Sequence, residues 1–352
     1  MKTLKNKFFQ IKKIVKKIPK TRFNYEFLIR EFIFLILRVE NILLDRNYKK
    51  NPITITNNYL DEIIKRLNNL SNMRFFDGRK KIDYQNFKRE KNHKDLFQKL
   101  WTHFDHKQFI KNRLKNYLAR IKINNLQKYF KNKNCIDFGC GHGQFLMAMH
   151  LKGAKFCQGI DFGRKSIAYA RKARNKLKIN KKKVKFTYAT VYKAPVKSNS
   201  FDFAIQNGVF HHLDNENKAY KEVYRVLKKG GYFFILTSGG GGVRDLVFDH
   251  CQNILKNIED AFVVKVIRDM GVTNNKIYML SDMLNAKYRQ TTWTKFKKRL
   301  KGYGFGNFEP LQGGEKTDWD FYFSKDKLFK VKFGSGHIRL LCQKFNYLML
   351  PL

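Results

Sequence analysis

The chain has 352 residues, 43% hydrophobic and 15% aromatic, and its 73 Lys and Arg stand against only 28 Asp and Glu. That length holds one large domain or two modest ones, and the 33 Phe predict an aromatic core. No run of 18 apolar residues exists: the nearest, residues 32–37 (FIFLIL), is interrupted by Arg38 and Glu40, so no membrane-spanning helix is expected.

The first twenty residues are basic but lack the long apolar stretch and small-residue cleavage site of a secretory signal, so a cytoplasmic protein is expected. Cys135, Cys140, Cys157, Cys251 and Cys342 have no metal-ligand spacing and read as reduced, buried small hydrophobes, with no metal site. The formal charge of +45 points toward polyanions. Lysine, however, far outnumbers arginine, and Asn, Ile, Phe and Tyr abound, as an AT-biased coding sequence would produce. Residues 1–134 hold 34 Lys and Arg against 11 Asp and Glu, so the excess is split almost evenly along the chain. Compositional drift, RNA contact, and an anionic membrane surface or polyanionic glycan all stay open.

In residues 1–20, Phe8, Ile11, Ile14, Val15 and Ile18 recur at helical spacing between lysines. This amphipathic helix either packs on the next helix or makes peripheral contact with anionic lipid. Residues 24–47 and 59–70 also read as helices, separated by a turn at 51–58 (NPITITNN). After a polar stretch at 71–96, a helical rhythm resumes over 97–128, where Trp101, His103 and Tyr117 either line a pocket or simply pack.

Residues 135–138 (CIDF) suit a buried parallel strand carrying one acid, Asp137. Gly139, Gly141 and Gly143 then alternate with Cys140 and His142 before a helix resumes at Phe145. A strand, a glycine turn and a helix start open a nucleotide-binding βαβ unit. Dinucleotide enzymes space their glycines G-x-G-x-x-G. Here the spacing is G-x-G-x-G with an acid two residues ahead, which argues against a nicotinamide cofactor. A second apolar run, 156–161 (FCQGID), ends in Asp161, whose carboxylate can accept two hydrogen bonds from vicinal hydroxyls. Ser166 is the expected cap of a helix over 166–177, and 184–188 is a third strand. Residues 201–212 (FDFAIQNGVFHH) read as a strand and turn, and 219–236 (AYKEVYRVLKKGGYFFIL) as helix, turn and strand.

These four motifs, in this order, closely resemble those of class I S-adenosylmethionine-dependent methyltransferases of the type 11-like group. The resemblance implies an α/β, Rossmann-like seven-stranded methyltransferase sheet that ends in an antiparallel hairpin, with S-adenosyl-L-methionine as cofactor. It implies that Gly139, Cys140, Gly141 and Gly143 underlie the methionine part and that Asp137 orients its ammonium. Asp161 would meet the ribose, and Phe162 after it would also touch the cofactor. Thr190 stands where many relatives carry an aspartate that receives the adenine amino group; its hydroxyl and the Val191 amide are what remain for the adenine. Asn207 would also touch the cofactor.

Four glycines at 239–242 follow the fifth strand and read as a hinge or a plain linker, ahead of a helical insertion read as a lid. Residues 305–312 and 337–345 are the expected last strands. The expected division is therefore a helical extension (1–125), a cofactor-binding core (126–240), a lid (241–302) and closing strands (303–352).

Asn207, His211 and His212 end the fourth strand, where a general base or substrate anchor would stand. Relatives that methylate nucleobase amino groups carry an (N/D/S)-P-P-(Y/F) tetrad here. Residues 207–210 are Asn-Gly-Val-Phe, with no proline, so the clamp for a flipped base is missing. The expected function is methyl transfer to a small-molecule, lipid or glycan acceptor, with an RNA methyltransferase or RNA-binding protein as the alternative. Glu315, Asp318 and Asp320 around Trp319 form either a sugar or cation site or a surface turn, with Arg339 as a partner for one acid.

Overall fold

The computed structural model describes residues 1–45, 47–72, 106–285, 289–314 and 320–345. Of the residues singled out above, Trp101, His103, Glu315, Asp318 and Trp319 lie outside these. The described residues fall into two compact units: those of 1–93, 241–286 and 325–334, and those of 94–240, 287–324 and 335–352.

The first unit is helical. Lys2–Lys17, Arg22–Leu44 and Pro52–Asn72 join Val243–Leu255, Asp260–Asp269, Asn274–Asn285 and Phe329–Phe333. The apolar side of the first helix is buried through Leu4, Phe8, Ile11 and Ile14, so it packs within the unit. The turn expected over 51–58 is instead the start of a helix. Pro52 takes its first position, where a missing N–H costs nothing, and the Asn51 side chain accepts from the Ile53 amide at 2.9 Å. The expected lid over 241–302 is also divided: 241–286 belongs to the helical unit, while Trp293–Gly302 belongs to the sheet unit. Apolar helix faces are buried by whichever complementary face the fold supplies, so sequence order does not reveal the grouping.

The second unit carries a seven-stranded sheet in the order β3-β2-β1-β4-β5-β7-β6. Its strands are β1 (Asn134–Phe138), β2 (Phe156–Asp161), β3 (Val184–Tyr188), β4 (Phe201–Asn207), β5 (Leu227–Ser238), β6 (Phe305–Pro310) and β7 (His337–Lys344). β1 to β5 pair in parallel, and β7 lies antiparallel between β5 and β6. Side chains alternate between two cores: Cys135, Phe203 and Ile205 enter one, and Ile136, Phe138 and Ala204 the other.

Two local expectations change. Much of the turn read between the helix and strand of 219–236 belongs to β5, which already starts at Leu227, and the extra length is absorbed by a register shift opposite Phe201 and Phe203. The helix after β2 runs Arg164–Lys176 and is capped by Gly163, which leaves Ser166 buried inside its first turn.

β1 and β4 are neighbours, yet the chain leaves them in opposite directions across the sheet. That is the switch point where open α/β sheets bind ligands, beyond the carboxyl ends of the strands. The glycine turn after β1 and the Asn207 turn after β4 both stand there.

Candidate functional site

The turn after β1 is bound to its neighbours through backbone groups. The amides of Gly139 and Cys140 both donate to the Ile160 carbonyl of β2, at 2.9 and 3.0 Å. Gly143 has φ +75°, and a Cβ on it would lie 2.3 Å from the Phe186 ring, so this glycine serves packing. Gly141 has φ +50°, and a Cβ there would meet nothing within 4 Å. Its open side is a cradle in which a ligand can approach the backbone.

Asp161, at the end of β2, ties this turn together. One carboxylate oxygen accepts from the Gly141 amide at 2.9 Å and the other from the Gly163 amide at 2.7 Å. An ionised carboxylate has about four acceptor positions, so lone pairs remain for a diol. Burial raises the Asp161 pKa, and the two amides oppose that rise.

Asp137, at the end of β1, stands in the opposite condition. It is 3% exposed, and its Oδ1 is buried without a hydrogen-bond partner. Burial, helped by the nearby Asp161 charge, pushes its pKa up to about 8. At Asp161 the two amides thus oppose burial, whereas at Asp137 burial and the neighbouring charge act together, and the group is mostly protonated at neutral pH. Cys140 is buried in the same turn, and burial with the two aspartates raises its thiol well above the ordinary range.

The turn after β4 is shaped by a residue that motif matching passed over. Gln206 is fully buried; its Oε1 accepts from the Val209 and Phe210 amides, and its Nε2 donates to the Leu236 carbonyl at 2.8 Å. This brace folds 207–210 back toward the glycine turn. A Cβ on Gly139 would come within 2.8 Å of both Val209 methyl groups, so the two turns touch. Asn207 donates to the Tyr117 hydroxyl at 3.3 Å, and Tyr117 stacks on Phe145 with ring centroids 4.7 Å apart. The Asn207 Oδ1 is buried without a partner. The His211 and His212 rings lie 4.1 Å apart; His211 is buried and His212 only half-buried.

Gln144 is a second residue missed from sequence. It opens the helix Gln144–Leu151, is 6% exposed, and its Nε2 is buried without a partner. Its only sequence signal is a polar residue directly after the last glycine of the turn.

The expected adenine contacts are separated from this cluster in the chain. Thr190 is exposed and its hydroxyl accepts from the Tyr192 amide at 3.3 Å, while the Val191 side chain is buried in the core. Phe162 is 40% exposed just past Asp161. Asp320 is paired with Arg339, as expected for one acid of that group, and also accepts from the Gly313 amide at 2.6 Å.

A methyltransferase domain family model matches residues 129–297. Over 123 residues the chain is 31% identical to a ubiquinone biosynthesis O-methyltransferase of Pelagibacter ubique, covering 35% of this chain and 49% of that protein. The chain thus spans about half the length of that curated relative. An uncharacterized protein of Methanocaldococcus jannaschii is 24% identical over 243 residues, 69% of this chain and 93% of its own. Among solved structures, the YcgJ protein of Bacillus subtilis is 15% identical with a TM-score of 0.43, covering 65% of this chain and 99% of its own.

The residues present fit S-adenosylmethionine. The unpartnered Asp137 oxygen would suit its ammonium, the remaining lone pairs of Asp161 would suit its ribose hydroxyls, and Gly141 leaves room for a close approach. The Gln144 amide is a donor suited to a carboxylate.

Proposed function

We propose that this chain, whose residues 129–297 match a methyltransferase domain model, uses S-adenosylmethionine to methylate a hydroxyl of a small-molecule, lipid or glycan acceptor. The reading is carried by the unpartnered Asp137 carboxylate oxygen at the switch point of the sheet, which asks for a cationic ligand. When bound, the cofactor supplies an electrophilic methyl on a sulfonium. The chain's own residues then hold the ammonium at Asp137 and the ribose at Asp161, and orient the acceptor for in-line attack. Such positioning is worth up to about 7–11 kcal/mol of the barrier.

A hydroxyl acceptor starts protonated and needs a base. His212, the more accessible ring of the pair, takes that proton, and the free Asn207 Oδ1 accepts from a donor group on the acceptor. The O-methyltransferase name of the Pelagibacter relative supports a hydroxyl. The missing prolines at 207–210 weigh against a nucleobase amino group.

The test is transfer of labelled methyl groups to cell extract divided into RNA, lipid, glycan and small-molecule fractions. Label is expected outside the RNA fraction. With the labelled acceptor in hand, His212→Ala should slow transfer by about 10²–10⁴ at unchanged cofactor affinity. Label on RNA that vanishes in Asn207→Ala would overturn the acceptor class, and full activity of His212→Ala would overturn the base.

A further inference from the structure

The helix Lys2–Lys17 of the helical unit buries one side and leaves the other to solvent. Leu4, Phe8, Ile11 and Ile14 face inward, and Phe8 stacks on His250 with ring centroids 4.5 Å apart. At the pitch of an α-helix, Lys2, Lys5, Phe9, Lys13 and Lys16 fall on the opposite side, within an arc of roughly 80°. All five are exposed, and Phe9, at 61%, stands in the middle of the stripe. The Lys13 ammonium sits 4.7 Å from the centroid of its ring. No Asp or Glu occurs before Glu26, so the helix holds no acid to neutralise this face. Lys7, which pairs with Asp61 at 2.5 Å, lies off the stripe.

A lysine-rich composition accounts for cations anywhere on the surface. It does not account for a large apolar ring held in water at the centre of four of them. We propose that this face docks the protein on an anionic lipid surface, the lysines meeting the headgroups and Phe9 entering the boundary with the acyl chains. The apolar face that an interfacial helix ordinarily lays into lipid is already buried in the fold, so attachment is electrostatic with one apolar anchor. Lysines are compact point charges on flexible stems, suited to a laterally mobile field of headgroups. A single ring on the face, with no arginine beside it, is a poor stacking platform for successive bases of single-stranded RNA.

The experiment uses the full chain and sedimentation with phosphatidylcholine vesicles, with and without an equal share of phosphatidylglycerol. Binding is expected only to the anionic vesicles. A lysine near an anionic surface is worth roughly fivefold in partitioning, so the quadruple variant K2Q/K5Q/K13Q/K16Q should lose several hundredfold. Phe9→Ala should lose roughly tenfold, and Phe9→Leu much less. All these side chains are exposed, so melting temperatures should match that of the parent protein. Equal binding to neutral vesicles, indifference to Phe9, or tighter binding to polyuridylic RNA than to anionic vesicles would each overturn the proposal. It stands independently of the acceptor and of the methyl-transfer chemistry.

Discussion

Replacing Asp137 by Asn should make the cofactor-free protein more stable while weakening its cofactor binding. An aspartate in the unfolded chain titrates near 3.9, whereas burial and the Asp161 charge put the folded group at about 8. Each unit of difference is worth about 1.36 kcal/mol. The folded pKa lies above the unfolded one, so the acid does no harm below about pH 4, and stability is lost progressively as pH rises toward 8. At pH 7 that loss is on the order of 4 kcal/mol, reached over about three units of pH. Asn escapes it but brings a buried amide whose unmet hydrogen bonds cost about 1–3 kcal/mol. The net gain is therefore on the order of 1–3 kcal/mol at pH 7. Urea unfolding of both proteins at pH 5, 6, 7 and 8 measures it, and the gap should widen with pH. Calorimetry with S-adenosylmethionine should show the variant binding about 10- to 150-fold more weakly, the worth of one charge-assisted hydrogen bond. In the parent protein, binding between pH 6 and 7 should release about one proton, visible as a dependence of the heat on the buffer's ionisation enthalpy. Parallel pH profiles of stability for the two proteins would refute the reasoning, because Asp137 would then not be held neutral in the folded state.

Asp161→Ala should lose both cofactor affinity and stability, since two backbone amides lose their acceptor; calorimetry and thermal melts read the two effects, with about 2–3 kcal/mol expected in the melt. Gly143→Ala should destabilise by at least about 2 kcal/mol, because its Cβ would collide with the Phe186 ring at a positive φ. Gly141→Ala, with nothing near its Cβ, should cost only about 1 kcal/mol in the melt and act mainly on cofactor binding. Gln144→Leu should bind the cofactor more weakly while melting no lower than the parent, since a buried donor without a partner is removed; a lower melting point with unchanged affinity would assign Gln144 to the fold.

The glycine turn, the two strand-end acids and the parallel strands were legible in the chain because each rests on local chemistry. A β-strand buried on both faces is a continuous apolar run, and a turn that needs positive φ needs glycine wherever it occurs, as at 139, 141 and 143. The helical unit was not legible in the same way. Residues 1–72 and 241–285 show their periodicity, but which face covers which depends on long-range packing that leaves no mark in the local pattern. Pro52 was misread because proline breaks a helix interior yet suits its first position, and only the three-dimensional start of the helix tells these apart. The state of the site was likewise decided by the tertiary structure. Asp137 and Asp161 are the same residue type, each near the end of a parallel strand, and nothing in the sequence shows that their hydrogen bonding and titration differ. Two backbone amides reach Asp161 and oppose the effect of its burial, while the Oδ1 of Asp137 is buried without a partner and its pKa is pushed up to about 8.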